Sequence, residues 1–500
     1  MLINYLYPLF FFLIVIIALR YSKISHLDGL KRWDLVFAFS IKSFAALFFI
    51  YIFTFYYGEG YLYFDSGIYI TDAKILNEVF YKSPLNYFKL LTGIGENTEL
   101  IHAYLSDTGI WSQPNSIVKD DAKNIIRINS VIHFFSNNII YIHFIIFNLF
   151  SLFGLVQIYL FFKKYTVFNH RILFYCLIIS PSLLFWGSGV LKEPMVIFSY
   201  GLLLYILRQK FKFKIIKFIL LVAVSYLLFS FKAYILVSIL LAFIFFVFSK
   251  HIFKQSKLIY LFICQIVFFA ATLLLFPSIL NTFTTLITEK QFDFNNITKG
   301  GIYVKNTTDN YALNIPISQY SKIIQFPDSI LIKENVLGYK MQKGNRKGIQ
   351  KIIIKSDSIK KYKIHSIWSR SNSYVEPNLI LYSEKQLIKN IPISLANSLL
   401  RPTWNDPSPK FKILSIIETY LIFGFLILGF IFKKKLSRNE KIYIISLFQF
   451  VLILSLFIGW TTPVFGAIVR YRIFTYLAIT IISFILIKPF DQWKSKKNIS

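Results

Sequence analysis

Four short stretches of this 500-residue chain combine ionisable side chains with helix-breaking residues, and they are where chemistry is to be sought. The first contains Asp65, in Phe64-Asp65-Ser66-Gly67-Ile68-Tyr69-Ile70-Thr71-Asp72. On a helix that starts here, Asp65, Tyr69 and Asp72 share a face at i, i+4 and i+7. A carboxylate held near apolar surface has a raised proton affinity and suits a general base acting on a hydroxyl. Asp65 or Ser66 reads equally well as a helix cap, and Asp72 as a solvated helix residue. The second stretch runs from Pro181 to Pro194. Gly187 and Gly189 allow a tight reversal between two apolar runs and bring Lys192 and Glu193 to its mouth. Those two make either a phosphate clamp beside a second carboxylate or a Lys–Glu pair that closes the turn, with Glu193 favoured near a helix N-terminus.

The third stretch is Arg401-Pro402-Thr403-Trp404. Arg401 is a permanently charged, bidentate donor suited to phosphate or carboxylate. Trp404 serves as an interface anchor or as a ring on which a sugar stacks. The fourth runs from Gly459 to Arg472. Pro463 and Gly466 interrupt it, as in a re-entrant turn, and it ends in Arg470-Tyr471-Arg472. Those arginines either bind substrate phosphate or snorkel to lipid headgroups. Lys232 occupies a further turn, in Phe231-Lys232-Ala233-Tyr234.

The elements that must hold these residues are apolar. The chain is 56% hydrophobic and only 16% charged, against about 45–50% and about 25% in soluble domains. That balance excludes a disordered chain and a disulfide-stapled module. Cys176 and Cys264 lie inside apolar runs and read as small core residues. Apolar runs recur at 2–19, 35–57, 139–162, 172–186, 195–207, 215–230, 235–248, 258–277, 413–432, 442–460 and 473–487, and a bilayer-crossing helix needs about 20 residues. The expected architecture is an all-α polytopic membrane protein with about eleven transmembrane helices. Residues 1–57 would form the first two. Residues 58–138 would form a first outer segment, with an amphipathic stretch at 68–80 lying along the membrane surface. Residues 139–277 would form a bundle, 278–412 a second outer segment folded as a small α+β domain, 413–487 the last helices, and 488–500 a basic tail. Within 278–412, residues 349–354 and 379–382 are β-prone.

The formal net charge of +31 would point to nucleic acid in a soluble protein. Here the basic residues fall between apolar runs, so nucleic acid is not an expected partner. Six connections carry 24 Lys and Arg, whereas the opposite short turns carry only Lys192, Lys232, Arg470 and Arg472. The positive-inside rule then places the N-terminus outside, the C-terminus in the cytoplasm, and both long segments outside a bacterial inner membrane.

Asp65 with Tyr69, the 181–194 hairpin and Arg470-Tyr471-Arg472 together resemble the GT-C class of polytopic membrane glycosyltransferases. The likeness takes in residues 35–276 and 401–487. The chain is also similar to membrane proteins of bacterial polysaccharide clusters that carry Arg-Pro-x-x-Trp/Phe and Arg-Tyr-Arg segments. In the GT-C class a catalytic Asp or Glu stands in the first large outer loop, and the donor is a polyprenyl-phosphate sugar. Ser66 follows Asp65 where the class often has a second acid.

The resemblance implies sugar transfer from a polyprenyl-(pyro)phosphate donor to a cell-envelope glycan or lipid acceptor at the outer face. Asp65 and Glu193 would be catalytic. Tyr69, Asp72, Lys192, Lys232, Arg401, Trp404, Arg470 and Arg472 would bind substrate. Membrane lipids would be partners, and no metal or cofactor is indicated. The competing readings are an O-antigen-type polymerase or ligase and a non-enzymatic flippase or transporter of lipid-linked saccharide. A transporter should carry charges at mid-membrane in broken helices. Lys42 is the main such residue, and a lysine at that position reads as one that snorkels.

Overall fold

The computed structural model describes residues 3–21, 29–111, 120–253, 256–306, 311–341, 349–406 and 412–488, so the basic tail from 489 onward lies outside the described residues. The protein is 72% helical and divides into two units. The first comprises residues 1–240, 424–440 and 480–500, and the second residues 241–423 and 441–479.

The first unit is built on α1 (Ile3–Tyr21), α2 (Arg32–Tyr51), α3 (Phe64–Lys82), α4 (Pro84–Thr92), α5 (Thr98–Leu105), α6 (Asp120–Ser136), α7 (Ile140–Phe162), α8 (His170–Ile179), α9 (Pro181–Trp186) and α10 (Lys192–Arg208). Helix α11 (Lys214–Val247) begins in it. Helices α7 and α10 meet backbone to backbone, because the sequence puts glycine at both contact points. A Cβ on Gly201 would lie 2.4 Å from the Gly154 Cα, and one on Gly154 would lie 2.3 Å from the Ile197 carbonyl oxygen. Small residues permit that approach in membrane bundles, where dispersion and not hydrophobic exclusion holds helices together.

Three polar ties brace this unit. Asp34, buried at the start of α2, receives both Nε and Nη2 of Arg171, the latter at 2.7 Å, and the Tyr175 hydroxyl at 2.5 Å. Lys42, one turn further along α2 from Ala38, does not snorkel. It is wholly buried, and its Nζ donates to the Gly187 carbonyl at 2.8 Å and to Ser188 Oγ at 3.2 Å. Helix α3 is tied to the same hairpin by Ser66 Oγ, which donates to the Val190 carbonyl at 3.0 Å. The amphipathic stretch expected at 68–80 lies within α3. Its inner face packs on α6, with Asn77 Nδ2 donating to the Ser130 carbonyl at 2.9 Å.

The second unit contains α12 (Leu258–Leu275), α13 (Pro277–Lys299), α14 (Glu384–Lys389), α15 (Ile391–Leu400) and α18 (Phe465–Tyr471). It also takes parts of α16 (Lys412–Ile431), α17 (Arg438–Thr461) and α19 (Ile473–Leu486). Between α13 and α14 stands a seven-stranded antiparallel half-barrel sheet in the order β3-β4-β7-β1-β2-β5-β6. The strands are β1 (Gly301–Asn306), β2 (Tyr311–Ile315), β3 (Ile323–Gln325), β4 (Ser329–Ile332), β5 (Val336–Met341), β6 (Ile349–Ile354) and β7 (Asp357–Trp368). Alternate residues on each strand point to one face, so Ile302, Val304, Leu313, Ile315, Ile330, Ile332, Val336 and Ile354 form one core.

The β-prone run 349–354 is strand β6. The run 379–382 is not a strand: Leu381 and Tyr382 have φ of 50° and 57°. Its backbone donors go to α13 side chains, Ile380 N–H to Gln291 Oε1 at 3.0 Å and Tyr382 N–H to Thr288 Oγ1 at 3.1 Å, so no strand partner is needed.

Six helices among the described residues are long and apolar enough to cross a membrane, or seven if the bent pair α18–α19 is one span. The expected count was eleven. All eleven apolar runs are helical, but length separates them. The run at 172–186 breaks before Pro181 into α8 and α9, since a residue preceding proline disfavours helix. The run at 195–207 is α10, of 17 residues. The runs at 215–230 and 235–248 join in one stretch, Lys214–Ile252, interrupted at Lys232 (φ −152°, ψ 90°). Cys176 and Cys264 are exposed on α8 and α12 and not in the core. Outward faces are apolar here: Leu6, Leu9, Phe10 and Leu13 of α1 are all about half exposed, as lipid-covered surface requires.

Gly201→Leu should force α7 and α10 apart and destabilise the protein by about 1–3 kcal/mol, the usual penalty of overpacking. Gly424→Leu, on α16 where no atom lies within 4 Å of an added Cβ, should be neutral. Thermal melts of both variants in detergent check this, and equal melting temperatures would refute the close contact.

Candidate functional site

In the first unit, four of the sequence-selected residues gather around the α9–α10 turn. Asp65 is the acid in the first turn of α3 and is partly exposed. The N-cap of α3 is Tyr63, so neither Asp65 nor Ser66 caps the helix. Ser66 instead locks this end of α3 to Val190, two residues before Lys192. Lys192 Nζ pairs with Asp121 at 2.8 Å. The next residue, Glu193, is wholly buried and pairs with Lys232 Nζ at 2.6 Å, at the break in α11. The pair sits at the break. A buried carboxylate demands a cation, and the extended backbone at Lys232 accompanies the placement of its ammonium against Glu193.

This geometry redistributes the roles expected for these residues. Asp65 keeps access to solvent. Glu193 and Lys232 are sealed against each other, which makes them positioning residues for Lys192 and α10. Tyr69 is buried. Asp72 is not solvated: its two carboxylate oxygens accept the backbone N–H groups of Gly109 at 2.8 Å and Ile110 at 2.9 Å, which fixes that loop onto α3. The face shared by Asp65, Tyr69 and Asp72 therefore turns inward after its first member.

In the second unit, Arg401 and Arg472 belong to one neighbourhood. Arg472 is wholly buried. Its Nη1 donates to the carbonyls of Arg401 and Ser398, and its Nη2 donates to Ser415 Oγ at 2.6 Å and Thr419 Oγ1 at 3.2 Å. The guanidinium lies 4.4 Å from the Tyr476 ring centre, and the buried Glu418 is close enough to act on it electrostatically. Arg401 is paired bidentately with Asp406, donates from Nη1 to Asn397 Oδ1 at 3.1 Å, and stacks over Phe465 at 4.7 Å. Arg470 is also buried. Trp404 is 56% exposed, and its carbonyl accepts from Lys412 Nζ at 2.9 Å. A cavity of about 20 Å³ beside Arg401, Asn397 and Thr462 holds no more than a water-sized group. Arg472 thus acts as an internal clasp for α15, α16 and α19.

Several partners in these sites carry no mark in the sequence. Asp121 and Asp34 join their cations across long separations in the chain. Glu418 was hidden in an apolar run, although a lone acid there is itself a signal. Asp406 was legible, being five residues from Arg401. Among the described residues no three His, Cys, Asp or Glu side chains converge in a metal-binding group. No family model, curated protein or solved structure matches the chain.

Burial raises the Asp72 carboxyl above its usual range, and the two N–H bonds only partly offset this. The folded state therefore favours the protonated acid. The stability this group contributes is complete below about pH 4, its unfolded value, and is lost as pH rises through the raised folded value. Asp72→Asn should lack that slope in thermal melts taken from pH 4 upward; a variant whose melting temperature follows pH just as the wild type does would exclude it.

Proposed function

We propose that the protein is a membrane glycosyltransferase. It moves a sugar from a polyprenyl-(pyro)phosphate donor to a cell-envelope glycan or lipid acceptor at the outer face of a bacterial inner membrane. The observation that carries the reading is the docking of the α3 N-terminus on the α9–α10 turn, which leaves a solvent-reachable carboxylate, Asp65, held beside the Lys192 segment. Several long apolar helices supply a membrane setting for a lipid-tailed donor.

In this mechanism Asp65 accepts the proton of the acceptor hydroxyl. The acceptor oxygen forms a bond to the anomeric carbon. The bond from that carbon to the donor phosphate oxygen breaks, and the phosphate leaves with the electron pair. Lys192 offsets the charge that develops on it. Lys192 exchanges Asp121 for the phosphate, and the Glu193–Lys232 pair keeps the start of α10 in place while it does so.

A second reading, translocation of the lipid-linked saccharide, draws on a different observation. Helix α11 is broken at a buried ion pair, as discontinuous helices are in transporters. Purified protein in vesicles separates the two readings: transfer yields a new glycosidic bond, whereas translocation moves unaltered donor across the bilayer.

Asp65→Asn preserves size and removes the base. It should fold normally and lose about 10²–10⁴-fold in transfer from a polyprenyl donor, the usual contribution of a positioned base. Asp72→Asn should lose far less. Full activity in Asp65→Asn would remove Asp65 from the mechanism. The expected orientation is tested on intact cells. Cysteines introduced at positions in 278–412 should react with an impermeant reagent, and cysteines at Lys210 or Lys434 should not.

A further inference from the structure

A second feature of the first unit lies away from Asp65. The C-terminal half of α3, the end of α6 and the turn into α7 enclose an open groove of about 370 Å³. That volume falls in the range of small-molecule sites. The turn brings Asn137 and Asn138 to the rim. Both have left-handed backbone, φ 51° and 60°, a conformation asparagine tolerates better than most residues.

The wall of the groove includes His133, which is 8% exposed. Its Nε2 faces the Ile70 carbonyl at 3.1 Å. A carbonyl only accepts, so Nε2 carries the hydrogen and Nδ1 of the neutral ring is an acceptor. That Nδ1 is buried and has no hydrogen-bond partner. The Asn138 side chain lies beside the ring and favours its charged form. Burial outweighs that influence and holds the ring below the ordinary histidine range, hence neutral. The His143 ring lies 4.5 Å from that of His133, tilted by 59°, and spends both nitrogens on Asn129 and Ser136. It offers His133 nothing.

The rest of the lining is chemically mixed. Lys74 and Glu78, one turn apart on α3, place one charge of each sign on the groove. A site with balanced charge does not select a phosphate or a bare cation. Tyr81 is 72% exposed, and Phe134 and Phe135 are each more than 40% exposed at the edge. Rings that are open on one face beside interleaved donors and acceptors match a ligand with apolar C–H faces and hydroxyl edges.

We infer that this groove is a saccharide-binding site, with Lys74, Glu78 and Asn138 serving the sugar hydroxyls, Tyr81 stacking on a ring face, and His133 buried in the wall behind them. The site is independent of the transferase reading, because Asp65 is not part of its lining. Its ligand is glycan recognised as such, whether or not the protein transfers sugar.

The test uses purified full-length protein in detergent and saturation-transfer NMR. The probes are di- and trisaccharides of glucose, galactose, mannose and N-acetylglucosamine, with inorganic phosphate and glycerol as comparators. At least one saccharide should bind with millimolar or better affinity, and phosphate should not compete. Tyr81→Ala and Glu78→Gln alter exposed side chains, so folding should survive, and each should weaken binding about tenfold. No transfer to any saccharide overturns the inference. So does competition by phosphate, or binding that is indifferent to Tyr81→Ala and Glu78→Gln.

Discussion

A charge withdrawn from water has to be met by an opposite charge or by several polar atoms, and in an apolar bundle nothing else can meet it. That constraint organises this protein. Asp34 takes Arg171 and Tyr175, Lys42 takes the Gly187 carbonyl and Ser188, Glu193 takes Lys232, and Arg472 takes two carbonyls and two hydroxyls. Each of these sets joins elements far apart in the chain. Apolar faces alone would let the helices slide or rotate against one another, since one leucine ridge packs much like the next. Directional bonds from buried charges remove that freedom. They fix the α9–α10 turn in particular, which Lys42 holds from α2 and Ser66 holds from α3.

The same constraint explains how much was readable in the sequence. Every apolar run expected to be helical is helical, because in those segments composition and backbone satisfaction point the same way. Strand β6 was legible from its run of isoleucines. What composition could not give was length in space. Proline split one run before Pro181, and Lys232 joined two runs into a single interrupted helix. The segment at 379–382 has strand-like residues, yet side chains of α13 claim its backbone donors, a tertiary effect that local pattern does not carry.

At the candidate site, residue type was the weaker guide and burial the stronger. Asp65, Glu193, Lys192 and the three arginines stood out because charged residues are rare beside apolar runs. Charge rarity does not separate a residue that works on substrate from one that holds the scaffold. The structure separates them by burial: Glu193 and Arg472 are wholly enclosed against partners, whereas Asp65 is partly exposed. The groove at His133 went unseen for the converse reason. Tyrosine and histidine near two helix ends and a pair of asparagines in a turn attract no notice until the fold brings them to one hollow.

The glycine contact between α7 and α10 bears on how such a bundle can move. Where Gly154 meets Gly201 the contact is backbone against backbone, and at that point no side chain can change rotamer and let one helix rotate on the other. The pair behaves as a single beam. Any widening of the bundle falls to helices lined by larger, repackable side chains, and α1 is the least buried of the six candidate spans among the described residues. Rigidity is concentrated where the chain has the smallest residues, and compliance at its bulky apolar margin.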